Sequence, residues 1–255
     1  MHAGDVNYSV IGRGYAHHRR PDPRIGALIH AALGDAKTVL NVGAGAGSYE
    51  PTDREVIAVE PSEAMRAQRR AQLVRAIDAC AEDLPLPDLS VDATMAILTV
   101  HQWNDRRRGL RELLRVTRGP IVIMTFAPGS AGYFWLGEYC PEVAAIESRR
   151  DPSVEAIAAD LAAPGRSIES RPVPVPIDCV DGFSEAFYAR PERFLDPAVT
   201  GAQSTWAFIS DEVRARFVRT LRADLESGAW DRKHGRYREM PEFLGALRLI
   251  VSTPA

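Results

Sequence analysis

The sequence predicts an α/β fold built on a doubly wound, mostly parallel sheet. Three observations carry this. Near-continuous apolar runs, such as Val39–Val42, Val56–Val59 and Ile121–Phe126, alternate with segments of helical periodicity. A glycine-rich turn, Gly43-Ala44-Gly45-Ala46-Gly47, follows the first run at once. An acidic residue, Glu60, closes the second. An apolar run, a glycine turn and an acid at the end of the next strand form a nucleoside-binding layout. Glycine lets backbone approach a ligand that a Cβ would block. A carboxylate there can accept both hydroxyls of a ribose.

The elements follow in order. Residues 1–22 are irregular and polar, with Tyr8, Tyr15, His17, His18, Arg19 and Arg20. Pro23 opens a helix whose stripe is Ile25, Leu28, Ile29 and Leu33, and Gly34 ends it. A third strand is expected next, and after it an acidic loop, Ala79-Cys80-Ala81-Glu82-Asp83-Leu84-Pro85. A buried fourth strand, Val91–Leu98, leads into Thr99-Val100-His101-Gln102-Trp103. Asn104 is expected to cap a helix over Asp105–Val116, with Leu110, Leu113 and Leu114 at helical spacing. Gly119-Pro120 breaks that helix before a fifth strand, Ile121–Phe126. The proline alternation of Val173–Ile177 reads as an edge strand. Residues 181–240 read as helical, with Phe217, Leu221 and Leu225 on one face, and Leu244–Ser252 makes the last strand. Ligands of such sheets bind outside the carboxyl ends of the strands, where the glycine turn, Glu60, Cys80-Ala81 and Leu98–Trp103 all fall.

The glycine spacing, G-x-G-x-G, departs from the G-x-G-x-x-G of pyrophosphate-binding turns. Glu50, just beyond it, is expected to place negative charge where a pyrophosphate would sit. A cationic nucleoside suits such a loop better. At this point the chain resembles the class I S-adenosylmethionine (SAM)-dependent methyltransferases, in particular the type-11 small-molecule branch. The resemblance covers residues 8–127 and returns weakly near Ala246–Ser252. Asn41 stands where the family more often has Asp, and Cys80 where it often has Asp beside the adenine.

The resemblance implies a seven-stranded sheet with a helical lid inserted toward the C-terminus. It implies one domain over 1–255. Within it, 1–37 would form an arm and helix, 38–127 the SAM-binding core, 128–240 the acceptor-pocket lid and 241–255 the last strand. It implies SAM as cofactor, with S-adenosylhomocysteine as product. It assigns the cofactor to Tyr15, Arg19, Asn41, Gly43, Ala44, Gly45, Gly47, Glu60, Pro61, Cys80, Ala81, Glu82, Leu98, Thr99 and Trp103. Tyr133, Trp135, Tyr139 and Trp206 would line the acceptor pocket. His101 is the candidate general base, or else a polar residue packing the turn. The expected activity is methyl transfer to O or N of a small molecule. The alternatives are an NAD(P)-dependent oxidoreductase, which lacks a Tyr-x-x-x-Lys pair here, and a SAM-binding protein without turnover.

Other classes are disfavoured. A net charge of −3 gives no basic field for nucleic acid. The turn after the fourth strand has neither the Asn/Asp-Pro-Pro-aromatic of nucleic-acid amino methyltransferases nor the carboxylates of metal-dependent catechol enzymes. The spacing of the cysteines gives no sign of the convergence that an arsenite methyltransferase needs. Cys80, Cys140 and Cys179 are scattered and odd in number, so neither a disulfide framework nor a metal site is expected. No apolar run reaches about 18 residues. The expectation is a cytoplasmic bacterial enzyme, monomer or homodimer.

Overall fold

The computed structural model describes residues 19–255, so Tyr8, Tyr15, His17 and His18 lie outside the described residues. Four parallel strands form the centre: β1 (Thr38–Val42), β2 (Glu55–Val59), β3 (Ala93–Ile97) and β4 (Ile121–Phe126). Two more strands extend the sheet: β8 (Leu247–Pro254) runs antiparallel beside β4, and β5 (Arg166–Pro172), antiparallel to β8, forms the edge. The order is β2-β1-β3-β4-β8-β5. Along these strands side chains alternate between two cores. Val39, Met95, Val122 and Met124 face one side; Leu40, Val42, Ala96, Ile121 and Ile123 face the other. Each fully buried Leu, Ile, Val or Met stabilises the fold by about 1.5–3 kcal/mol.

The sheet has six strands, not seven. The missing strand is the one expected before the acidic loop. It contracts to a single parallel bridge, Val59 to Ile77. That segment lies beyond β2 with one neighbour only, and Val74 and Ile77 stay exposed. Too little apolar surface is buried there to hold a full strand. The edge strand is also displaced. It is the polar segment Arg166–Pro172, while β6 (Val175–Pro176) pairs with β7 (Glu242–Phe243) in a separate ribbon. Pro174 and Pro176 have no N–H to give a longer ladder.

Helix α1 (Pro23–Ala32) is capped by Asp22, whose side chain accepts from the Arg24 N–H at 3.0 Å, and buries Ile25 and Ile29. After β2 comes one short turn, α2 (Glu63–Arg66). Helix α3 (Arg106–Val116) buries Leu110 and Leu113. Its cap is Asp105, not Asn104: the Asp105 carboxylate receives the Arg108 N–H at 2.9 Å.

Past β4 the chain builds a lid from α4 (Leu136–Tyr139) and α5 (Pro141–Arg150), then returns to the sheet through α6 (Val154–Leu161). The lid resumes with α7 (Pro197–Gly201), α8 (Asp211–Glu226), α9 (Ala229–His234) and α10 (Arg236–Glu239), interleaved with 3-10 turns. Edge-to-face aromatics fill its interior. The Trp135 ring centroid lies 5.4 Å from Phe194 and 5.7 Å from Trp230. No helix among the described residues is long and apolar enough to cross a membrane.

Candidate functional site

A cleft of about 860 Å³, part of it open to solvent, lies at the carboxyl ends of β1, β2 and β3. Its floor is the glycine turn. β1 stops at Val42 and Gly43 turns with φ +67°, where a Cβ would lie 2.1 Å from the Thr99 hydroxyl. Only glycine fits, because the turns after β1 and β3 pack directly on each other. Gly45 also has positive φ, and its N–H donates to Glu60 Oε2 at 2.8 Å. Glu60 Oε1 accepts from the Ser62 N–H at 2.8 Å. Burial pushes the Glu60 carboxyl above its usual range, against the pull of those two N–H bonds and of nearby Arg66 and Arg69. Each Glu60 oxygen keeps a second lone pair, so two further donors can be received.

Of the expected cofactor residues, Asn41, Gly43, Ala44, Gly45, Glu60, Pro61, Cys80, Ala81, Glu82, Leu98, Thr99 and Trp103 all line this cleft. Trp103 packs on Gly109, where a Cβ would come within 2.5 Å of its ring. Burial and the carboxylates of Glu82 and Asp78 raise the Cys80 thiol. Two expected positions, Gly47 and Arg19, fall elsewhere, and Tyr15 lies outside the described residues. Gly47 packs against Leu73 and is not in the cleft wall. Arg19 is held by Asp181 at 2.7 Å, which also accepts the Tyr49 hydroxyl at 2.8 Å, and borders a different cavity.

Glu50 does not charge the cleft as expected. Arg69 Nη2 donates to both of its oxygens at 2.9 Å, and Asn41 Nδ2 donates to Oε1 at 3.0 Å. The pair is buried and off the cleft wall. An aspartate at position 41 would set two carboxylates against each other, so asparagine suits this site. The cleft is acidic nonetheless, because Glu60 and Glu82 line it and no Arg, Lys or His among the described residues does.

A second cavity, of about 590 Å³ and likewise partly open to solvent, adjoins the first. Leu98 and Gln102 line both. Leu98 holds φ +54°, a strained conformation for a leucine, at this junction, and its N–H is tied to the Met124 carbonyl at 2.8 Å. His101, on the 3-10 turn Val100–Gln102, lines the second cavity rather than the cleft. The lid supplies Ser130, Glu147, Phe183 and Gln203. All four fall within the 128–240 segment expected to form the acceptor pocket, but none is individually legible in the sequence, since they come from separate lid segments and carry no motif.

The aromatics expected here are elsewhere. Trp206 is fully buried, 5.1 Å from the Phe217 ring centroid. Tyr139 donates to Asp224 at 2.6 Å inside the lid. Tyr133 and Trp135 border another cavity with His234 and Tyr237. Trp135 and Trp206 bury more surface packed against other rings in the lid core than lining a polar cavity, whereas Tyr133 stays exposed.

Comparison with known proteins agrees with this geometry. The family model described as "Methyltransferase domain" matches residues 40–120. The solved "Putative methyltransferase from antibiotic biosynthesis pathway" of Anabaena variabilis ATCC 29413 is 31% identical, with a TM-score of 0.87 over 93% of this chain and 100% of that one. The chain belongs to the class I SAM-dependent methyltransferases. A "Probable S-adenosylmethionine-dependent methyltransferase" of Mycobacterium tuberculosis (strain H37Rv) is 35% identical over 107 residues, 37% of this methyltransferase-family chain. The match spans only 39% of that curated relative's length. The [4+2]-cyclase SpnF has a TM-score of 0.55 over 97% of this chain and 94% of its own, at 16% identity, which is a likeness of fold alone.

Proposed function

We propose that this chain transfers a methyl group from SAM to an oxygen or nitrogen of a small molecule. The observation that carries the reading is the charge of the cleft. Among the described residues two carboxylates and no cation line it, which suits a cationic nucleoside and disfavours the pyrophosphate of NAD(P). SAM, when bound, supplies a methyl already activated on a sulfonium. In this reading Glu60 accepts the ribose hydroxyls through its free lone pairs. Backbone of the Gly43–Gly47 turn lies against the nucleoside, and Cys80, Ala81 and Trp103 flank the base.

The acceptor is assigned to the second cavity, because Leu98 and Gln102 join it to the cleft. The chain's work is to hold the two molecules in line and keep water out. His101 stands in that cavity as the base for an acceptor that must lose a proton. The Anabaena relative's description favours a secondary metabolite as acceptor. The SpnF likeness keeps a second reading in view, a fold that binds ligand without methylating. Incubating the protein with labelled SAM and candidate acceptors, and measuring S-adenosylhomocysteine with labelled product, separates the two. SAM binding without any turnover would favour the second.

A further inference from the structure

The second cavity holds two buried polar groups that the fold leaves incompletely bonded. Glu147, on α5, is 5% exposed. Its Oε2 accepts both the Ser130 hydroxyl at 3.0 Å and the Ala131 N–H at 2.7 Å. Oε1 takes no hydrogen bond, and among the described residues Glu147 forms no ion pair. Gln203, 7% exposed, accepts the Ser184 hydroxyl through Oε1, while its amide nitrogen has no partner. Both residues line the cavity, whose apolar wall is the edge-to-face pair Phe126 and Phe183, 5.6 Å apart.

A buried carboxyl oxygen without a donor is costly, and so is a buried amide N–H without an acceptor. Arg150, further along α5, favours the charged form of Glu147 at a distance without pairing with it. The native set is completed by a ligand that brings a cation or strong donor to Glu147 and an oxygen to Gln203. Burial raises the Glu147 carboxyl, and an incoming ammonium would restore its charged form. Arg19, the cavity's guanidinium, is already held by Asp181, so it offers less to an anionic ligand.

We propose that the acceptor cavity selects a small amine that also bears a hydrogen-bond-accepting oxygen. Glu147 receives the ammonium, Gln203 donates to the oxygen, and the Phe126–Phe183 wall packs the carbon frame. This rests on the acceptor-cavity reading above. Neither glutamate nor glutamine is asked to move the methyl group; they set which molecule enters.

The test is calorimetry on the protein saturated with S-adenosylhomocysteine, using phenylethanolamine, phenethylamine and phenylethylene glycol as probes. Phenylethanolamine should bind at least tenfold tighter than the glycol, which replaces its amine by a hydroxyl. Glu147→Gln, which preserves the shape and can still accept from Ser130 and Ala131, should bring the two to parity. Gln203→Leu should instead erase the preference for phenylethanolamine over phenethylamine. Equal binding of amine and glycol in the unaltered protein, no binding of either amine, or an amine preference that survives Glu147→Gln would overturn the proposal. S-adenosylhomocysteine affinity is measured first, in the same cell. If it is absent, the methyltransferase reading has failed; if it is present and the amine preference is absent, only this inference has.

Discussion

Gly45 gives its backbone N–H to Glu60 Oε2 across 2.8 Å, so the turn after β1 is latched to the acid that ends β2. The latch orients the carboxylate before any ligand arrives. It also ties the fate of the glycine turn to one side chain. Glu60→Ala should therefore weaken SAM binding tenfold or more, since a hydrogen bond to a charged group contributes about 1.5–3 kcal/mol. Calorimetry on the folded variant checks it, and unchanged affinity would remove Glu60 from the ribose site.

The glycines should not behave alike. Gly43→Ala drives a Cβ into Thr99 at 2.1 Å in a left-handed conformation, so it should destabilise the fold by about 1–3 kcal/mol as well as abolish SAM binding. Gly45→Val also places a side chain in a left-handed conformation, at a cost of about 1–3 kcal/mol, but its Cβ meets only the flexible end of Met65 at 3.3 Å, so it should abolish SAM binding without the added clash that Gly43→Ala makes. Thermal melts and SAM titrations of both variants test the order. Normal SAM binding by Gly45→Val would defeat the nucleoside reading of the turn.

His101 lines the acceptor cavity, so its loss should spare the cofactor. As a base it would cost about 10²–10⁴ in single-turnover rate when changed to Ala or Gln, with SAM affinity unaltered. As a packing residue it would lower stability or SAM affinity instead. A full rate in either variant rules out the base and leaves positioning alone to drive transfer.

Glu185 predicts a pH signature. It is completely buried behind the β7–β8 turn, where it accepts the Ala246 N–H at 2.6 Å. Burial pushes its carboxyl up to about 8. The folded state then binds a proton that the unfolded chain releases near pH 4–5. Its contribution to stability is full below that range and is lost as pH rises through about 8. Melting temperature measured from pH 5 to 9 should fall more steeply for the native chain than for Glu185→Gln. Parallel curves would mean that Glu185 is ionised in the fold.

What the sequence made legible was local. The glycine turn, Glu60, Cys80–Glu82 and Leu98–Trp103 are contiguous motifs at strand ends, and a parallel sheet gathers strand ends by construction. What it hid was assembled at long range. Glu50 reads as a ligand-facing charge until Arg69 and Asn41 are seen to enclose it. Trp135, Tyr139 and Trp206 have the composition of a pocket, but an aromatic in a core and one in a pocket look the same along a chain. Glu147 and Gln203 stand alone in unremarkable helical and loop sequence. Only the packing of the lid brings them to one cavity. The absent strand failed for a related reason. Ile77 has apolar neighbours in sequence but a single strand beside it in space.

The cleft at Gly45 and Glu60 should take a cationic nucleoside. Titration calorimetry of the protein with SAM, repeated with NADH, tests it most directly. SAM should bind saturably at one site per chain and be competed by S-adenosylhomocysteine, with no measurable NADH binding. Tight NADH binding with no response to SAM would contradict it.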